Sequence, residues 1–120
     1  MRFLSFLFLG LYFLVSCHSP VSEQDKKDPF KRNARLIFTH HARCRMDCRH
    51  ITPIEIDEIV HKGKINYGKS EPEGRPDPKY ALEGYTAEQQ HLRIIVAPEE
   101  EKLIVVTCME LGVEWACDCN

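Results

Sequence analysis

A histidine and two arginines recur at intervals of four residues, as His41, Arg45 and Arg49. On a helix, this spacing places all three side chains along one face. An imidazole beside two guanidinium groups can bind a phosphate or another anion, or act as a general acid with charge-stabilising partners. The alternative is structural: the arginines pair with acidic residues of a sheet or of the C-terminal tail, and His41 caps or packs. The three residues are candidate catalytic or binding residues, and their spacing leaves both interpretations open.

Four cysteines form a second group, as two closely spaced pairs: Cys44 with Cys48, and Cys117 with Cys119. Four thiolates could bind zinc tetrahedrally, although zinc ribbons and redox enzymes use a Cys-x-x-Cys spacing that neither pair has. A bridge within either pair would strain the disulfide geometry, which leaves two arrangements that connect one pair to the other. We expect disulfides and no cofactor, and we keep zinc bound by these four cysteines as the alternative.

An N-terminal signal precedes a further cysteine, Cys17. Met1–Ser16 has one basic residue and then an apolar run that is too short to span a membrane but has the length of a signal h-region. The run ends in Leu-Val-Ser-Cys, which resembles the bacterial lipoprotein signal, where the cysteine thiol is acylated before cleavage. We therefore predict a signal peptide at residues 1–16, lipid such as palmitate on Cys17, and attachment to a membrane of the cell envelope. An ordinary secretory signal or a short membrane anchor is the alternative.

The bulk composition agrees with export and argues against a general affinity for nucleic acid. Six cysteines among 120 residues are many for an intracellular protein and ordinary for an exported one. A formal net charge of −2 gives no general attraction to nucleic acid, so nucleic acid is not an expected partner. The length allows one small domain.

Local signals divide the chain into a tether and one α+β domain. Residues 17–34 are polar and aperiodic, as in a flexible tether. Residues 35–120 form the domain, with a cysteine-containing tail at 110–120. Leu36–Phe38 is either an edge strand or the start of a helix, and His40–Arg49 has helical composition. Thr52, Pro53 and Glu55 then have the pattern of an N-cap, a first helical residue and a capping box, and Gly63 ends that helix.

The remainder of the domain alternates as strands do. The predicted strands are residues 64–69, 79–85, 91–97 and 102–109, of which the last two are apolar on both faces and therefore central. We predict an α+β fold with two N-terminal helices packed on a three- to four-stranded antiparallel sheet.

The residues from His41 onward resemble a bacterial family, the domain of unknown function numbered 4258. The features that carry the resemblance are a His-Ala pair, two following arginines, an Ile before the next helix, a Gly that ends it, and a final apolar hairpin that ends in Thr: His41-Ala42, Arg45, Arg49, Ile51, Gly63 and Thr107. The resemblance covers residues 38–109. It implies a small α+β module and no particular reaction.

Three functions remain open. The first is a membrane-anchored envelope lipoprotein, a non-enzymatic module that binds an unknown protein or a small anionic ligand through a sheet edge or the basic helix. The second is a nuclease or hydrolase centred on His41 and Arg45, by analogy with RelE-type toxins, which have a comparable layout; export argues against it, because RNA lies in the cytoplasm. The third is a cysteine-based metal-binding protein. Because no nucleophile–base pair or phosphate loop is identifiable, we lean against an enzyme.

If Cys17 is the lipid attachment site, cells labelled with a radioactive fatty acid should mark the wild-type protein and not the Cys17→Ala variant. Cys108→Ala serves as the matched control, because it removes a cysteine that has no signal before it. Label that persists in Cys17→Ala would refute the assignment.

Overall fold

The computed structural model describes residues 28–119, which contain five strands and two helices. In chain order these are β1 (Arg35–Phe38), α1 (His40–Arg49), α2 (Pro53–Lys62), β2 (Lys64–Glu71), β3 (Lys79–Tyr85), β4 (His91–Glu99) and β5 (Lys102–Glu110). The strands form one sheet in the order β1-β5-β4-β3-β2. Strand β1 runs parallel to β5, and every other neighbouring pair is antiparallel.

The predicted sheet of three or four antiparallel strands is wrong in two respects. The sheet has five strands and is mixed, because Leu36–Phe38 extends as the edge strand β1 and pairs in parallel with Leu103–Val105 of β5. The helices are also not the N-terminal elements, since β1 precedes them. Parallel strands are joined by a long connection, so the partner of β1 lies far away in the sequence. The four residues of β1 carry no turn signal that would identify that partner. The α+β class and the central position of β4 are confirmed.

Both helices begin at a threonine N-cap, and the one predicted at Thr52 is confirmed. The Thr39 hydroxyl accepts a hydrogen bond from the backbone N–H of Ala42 at the start of α1. At the start of α2, the Thr52 hydroxyl accepts from the Glu55 backbone N–H, and the Glu55 carboxylate accepts from the Thr52 backbone N–H 3.0 Å away. Between the helices, His50 adopts a left-handed conformation with φ 54°. This turn, which few non-glycine residues adopt, makes the tight corner.

Both helices pack on the same face of the sheet. Buried residues of α1, of α2 and of the corner between them join residues of the strands in one apolar core: Ala42, Met46, Ile51, Ile56, Ile59, Val60, Tyr80, Leu82, Leu92, Ile94, Val96, Leu103, Val105 and Cys108. The residues between them on the strands point to the other face. Cross-strand partners on that face are Ile37 with Ile104, Ile104 with Ala97, and Ile95 with Ala81. We call this side the open face, because neither α1 nor α2 packs on it.

The chain before β1 is part of the packed structure from Phe30 onward. The Phe30 ring lies 5.4 Å from the Tyr80 ring, measured between centroids. The Arg32 guanidinium donates to the backbone oxygens of Val60 and Gly63, at 3.0 and 2.7 Å, and thereby satisfies carbonyls at the end of α2. The predicted signal peptide, Cys17 and the first part of the predicted tether lie outside the described residues. Between residues 28 and 119, no helix is long and apolar enough to cross a bilayer.

Removing the N-cap of α2 should destabilise the domain. Thr52→Ala leaves the Glu55 N–H without its acceptor and breaks the capping box, so we expect the free energy of unfolding to fall by about 1 kcal/mol. Urea melts measure the loss. Thr52→Ser keeps the side-chain oxygen and should unfold close to the wild type. An unchanged midpoint for Thr52→Ala would contradict the assignment.

Candidate functional site

The C-terminal tail, residues 111–119, lies against α1 through two cysteine pairs. Cys44 pairs with Cys119 and Cys48 with Cys117, each at disulfide distance, with Cα atoms 5.7 and 5.9 Å apart. Cys44 and Cys48 are one helical turn apart, so the two pairs lie side by side. In the sequence, the Cys48–Cys117 pair lies inside the loop that Cys44 and Cys119 close. This is one of the two cross-connected arrangements that the sequence left open. We call this region the α1–tail junction.

Two of the three basic candidates on α1 contact backbone carbonyls. The His41 Nδ1–H donates to the carbonyl oxygen of Cys119, 3.1 Å away, and so holds the end of the tail. The Arg49 guanidinium donates to the carbonyl oxygen of Cys108 on β5. Strand β1 pairs with β5 only as far as Val105, and beyond that point α1 supplies donors to the free edge of β5. Arg49 therefore completes the hydrogen bonding of the sheet.

Arg45 and Arg49 were expected, in the structural alternative, to pair with acidic residues. Within residues 28–119 neither arginine makes an ion pair. Burial and the neighbouring charge of Arg45 lower the pKa of Arg49. The two arginines lie near the buried thiol of Cys108; burial raises the pKa of Cys108 to about 11, although both positive charges act in the opposite direction. Cys108 is thus a protonated core residue at neutral pH.

The metal alternative concerned the same four cysteines that the structure pairs across the α1–tail junction. In the part of the chain that the structure describes, no group of three or more His, Cys, Asp or Glu side chains has the geometry to hold a metal ion. The junction connects the tail to α1, and its polar contacts are those of a packing interface.

A second cluster, which the sequence interpretation missed, lies at one end of the open face. It consists of Asn66, Glu83, Tyr85, His91 and Arg93, and we call it the open-face cluster. Tyr85 pairs with His91 across β3 and β4, and their rings stack with centroids 4.3 Å apart and planes 12° apart. Next along the same strands, Glu83 pairs with Arg93. These two cross-strand pairs therefore lie side by side on one face.

One carboxylate oxygen holds the polar half of the cluster together. Glu83 Oε2 accepts hydrogen bonds from Asn66 Nδ2 at 2.8 Å and from Arg93 Nε at 3.0 Å. Burial by itself would raise the pKa of Glu83, but these hydrogen bonds and the charge of Arg93 outweigh it, so the pKa is lowered. Glu83 is therefore ionised at neutral pH. Only 18% of its side chain and of that of Arg93 is exposed, which makes this a fixed ion pair.

A weak signal for the open-face cluster was present in the sequence. Glu83 and Tyr85 alternate with Leu82 and Gly84, and His91 and Arg93 alternate with Leu92 and Ile94, so polar residues occupy one face of each strand end. These residues come together only in the register in which β3 pairs with β4.

The cysteine pairing predicts a specific digestion pattern. Without reductant, trypsin with Asp-N cuts between Cys44 and Cys48 and before Asp118, so mass spectrometry should find Cys44 linked to Cys119 and Cys48 linked to Cys117. Cys48→Ser combined with Cys117→Ser removes one bridge while the other still closes the long loop. In the chain-entropy treatment, loss of this bridge lowers the free energy of unfolding by about 2.5 kcal/mol, and loss of both bridges lowers it by about 7 kcal/mol.

Finding Cys44 linked to Cys117 would contradict the pairing. Four free thiols together with one equivalent of zinc, in protein prepared from its own envelope, would establish the metal alternative. Binding of zinc to these thiols would then release protons.

The comparisons with known proteins give one match. The family described as Domain of unknown function (DUF4258) matches residues 38–110, from the end of β1 to the end of β5. The search of curated proteins found no match, and the search of solved structures found none either. Cys117 and Cys119, which pair with α1, lie outside the matched span. Since the match covers more than half of the sequence, the chain belongs to the DUF4258 family.

Proposed function

We propose that this protein is a lipid-anchored module of the bacterial cell envelope that binds its ligand or partner through the open face of the sheet. The observation that carries the proposal is the one-sided packing: both helices lie on one face, and the other face bears the ordered open-face cluster beside an apolar patch. The patch consists of Ile37, Ile95 and Ile104, which are partly exposed; their cross-strand partners Ala81 and Ala97 are buried. Partly exposed apolar residues with a polar margin are typical of interaction surfaces.

Two further features support the envelope location. The cysteine pairs of the α1–tail junction suit an oxidising, exported environment. The lipoprotein-like sequence before Cys17 supplies the anchor, and the residues between Cys17 and Phe30 supply a spacer between the membrane and the domain.

A hydrolase centred on His41 and Arg45 has less support. His41 Nδ1 is engaged by the tail carbonyl of Cys119, and Arg49 is engaged by the carbonyl of Cys108. A general acid needs a proton within reach of a substrate, and charge-stabilising groups need to be free to contact it. On α1, His41 instead holds the tail, and Arg49 holds the sheet edge.

Footprinting in the native envelope tests the proposal. Hydroxyl radicals oxidise exposed aromatic and sulfur-containing side chains. Tyr85, His91 and Met109, the cross-strand partner of Arg93, lie on the open face and report its accessibility. If the open face is occupied in the envelope, oxidation of these three residues should be slower there than in the purified protein in detergent. Trp115 is the control, because it is exposed on the tail and packs against His50, away from the open face.

Equal oxidation of Tyr85, His91 and Met109 in both preparations would contradict the proposal. Protection of Trp115 alone would move the interaction surface to the α1–tail junction and would contradict it as well.

A further inference from the structure

We infer that the open-face cluster binds an acidic polysaccharide chain, with one sugar ring on Tyr85, its hydroxyl groups on Glu83, and its carboxylate toward Lys64. This inference rests on the proposed function, since it names the ligand class of the same face. It is carried by three independent features: a fixed aromatic ring, an oriented carboxylate with an open oxygen, and an excess of positive charge around both.

The first feature is the ring of Tyr85. The residue is 62% exposed, although one side of the ring stacks on His91. The stack fixes the ring before any ligand arrives, so little side-chain entropy is lost on binding. The electron-rich face of an aromatic ring attracts the polarised C–H groups that line the flat side of a sugar ring. Tyr85 therefore offers a flat, preformed surface of the size that one sugar needs.

The second feature is the carboxylate of Glu83. Its Oε2 is used by Asn66 and Arg93, whereas its Oε1 has no hydrogen-bond partner among residues 28–119. An ionised, fixed carboxylate accepts strong, charge-assisted hydrogen bonds from hydroxyl groups. Glu83 and Tyr85 are two residues apart on β3, hence about 7 Å apart on the same face. A sugar ring that lies on Tyr85 therefore places its hydroxyl groups within reach of Glu83.

The third feature is charge. Lys64 lies directly opposite Glu83 on β2, and Lys62, Lys64, Glu83, Tyr85 and His91 line one open cleft. The charge of Glu83 is balanced by Arg93, so the two lysines leave the cleft positive. Positive charge favours an anionic chain over a neutral one. Together with the ring and the hydroxyl acceptor, it selects a sugar that carries a carboxylate.

Single-stranded nucleic acid is the competing ligand, because aromatic rings on a sheet also stack bases. The open carboxylate oxygen of Glu83 disfavours a phosphate backbone at the same position, whereas hydroxyl groups of a sugar are its natural partners. Export also separates the domain from RNA. We therefore assign the site to polysaccharide, and RNA becomes an outcome of the test.

The test is a calorimetric titration of the full-length chain, purified in detergent, with trigalacturonate. We expect saturable binding that weakens with salt, and much weaker binding of the uncharged oligosaccharide maltotriose. Tyr85→Ala and Lys64→Ala should each weaken trigalacturonate binding about tenfold or more. Both residues are exposed, so the variants should retain the wild-type melting temperature.

Two matched controls remove the same residue types elsewhere. Lys69→Ala removes an exposed lysine from the same strand, and Trp115→Ala removes an exposed aromatic residue from the tail; neither should change the affinity. Glu83→Gln keeps the shape but removes the charged acceptor of the sugar hydroxyl groups, so it should weaken binding of the uncharged maltotriose.

Absence of trigalacturonate binding at millimolar concentration, binding that Tyr85→Ala leaves unchanged, or tighter binding of poly(U) RNA would each overturn the inference. These results are separable from the footprinting result. Protection of Tyr85 in the envelope without trigalacturonate binding would refute the ligand class and leave the proposed function standing. Trigalacturonate binding without protection in the envelope would refute the proposed function and support the site.

Discussion

The architecture depends on one constraint, the distance that the chain must cross between its first two strands. Strand β1 lies at one edge of the sheet and β2 at the opposite edge, so the connection between them has to span all five strands. That connection is α1 and α2, and it crosses on a single side. The two helices pack on one face around the apolar core, and among residues 28–119 no helix packs on the other face. The one-sided packing thus follows from the placement of β1 and β2 at opposite edges of the sheet.

The C-terminal tail extends the same arrangement. Strand β1 stops at Val105 of β5, and α1 supplies the hydrogen bonds that a longer strand would have made, through Thr39 to Val106 and through Arg49 to Cys108. The tail then returns to the outer side of α1, where it is held by two cysteine pairs and by His41. His41 and Arg49 of α1 are therefore built into the domain, and the open-face cluster lies on the opposite side of the sheet.

The sequence predicted the features that are local and missed those that depend on distant pairing. The capping box at Thr52 and the two apolar central strands were predictable, because each is encoded within a few residues. The parallel partner of β1 was not, since residues 35–38 and 102–105 lie far apart in the chain. The partner of Arg49 was missed for a related reason: a carbonyl at a free sheet edge has no sequence signature. The open-face cluster required the register that brings Glu83 beside Arg93. Lipidation at Cys17 stays a prediction.

The most direct test of the account is the accessibility of isoleucine methyl groups on the two faces of the sheet. In NMR spectra with a soluble paramagnetic agent, the methyl groups of Ile95 and Ile104 on the open face should relax quickly, and those of Ile59 and Ile94 in the core should not. When the protein is bound to fragments of its own envelope, Ile95 and Ile104 should become protected while residues of the helices keep their exposure. Equal relaxation of Ile94 and Ile95 in the free protein, or unchanged relaxation of Ile95 on the envelope, would contradict the account.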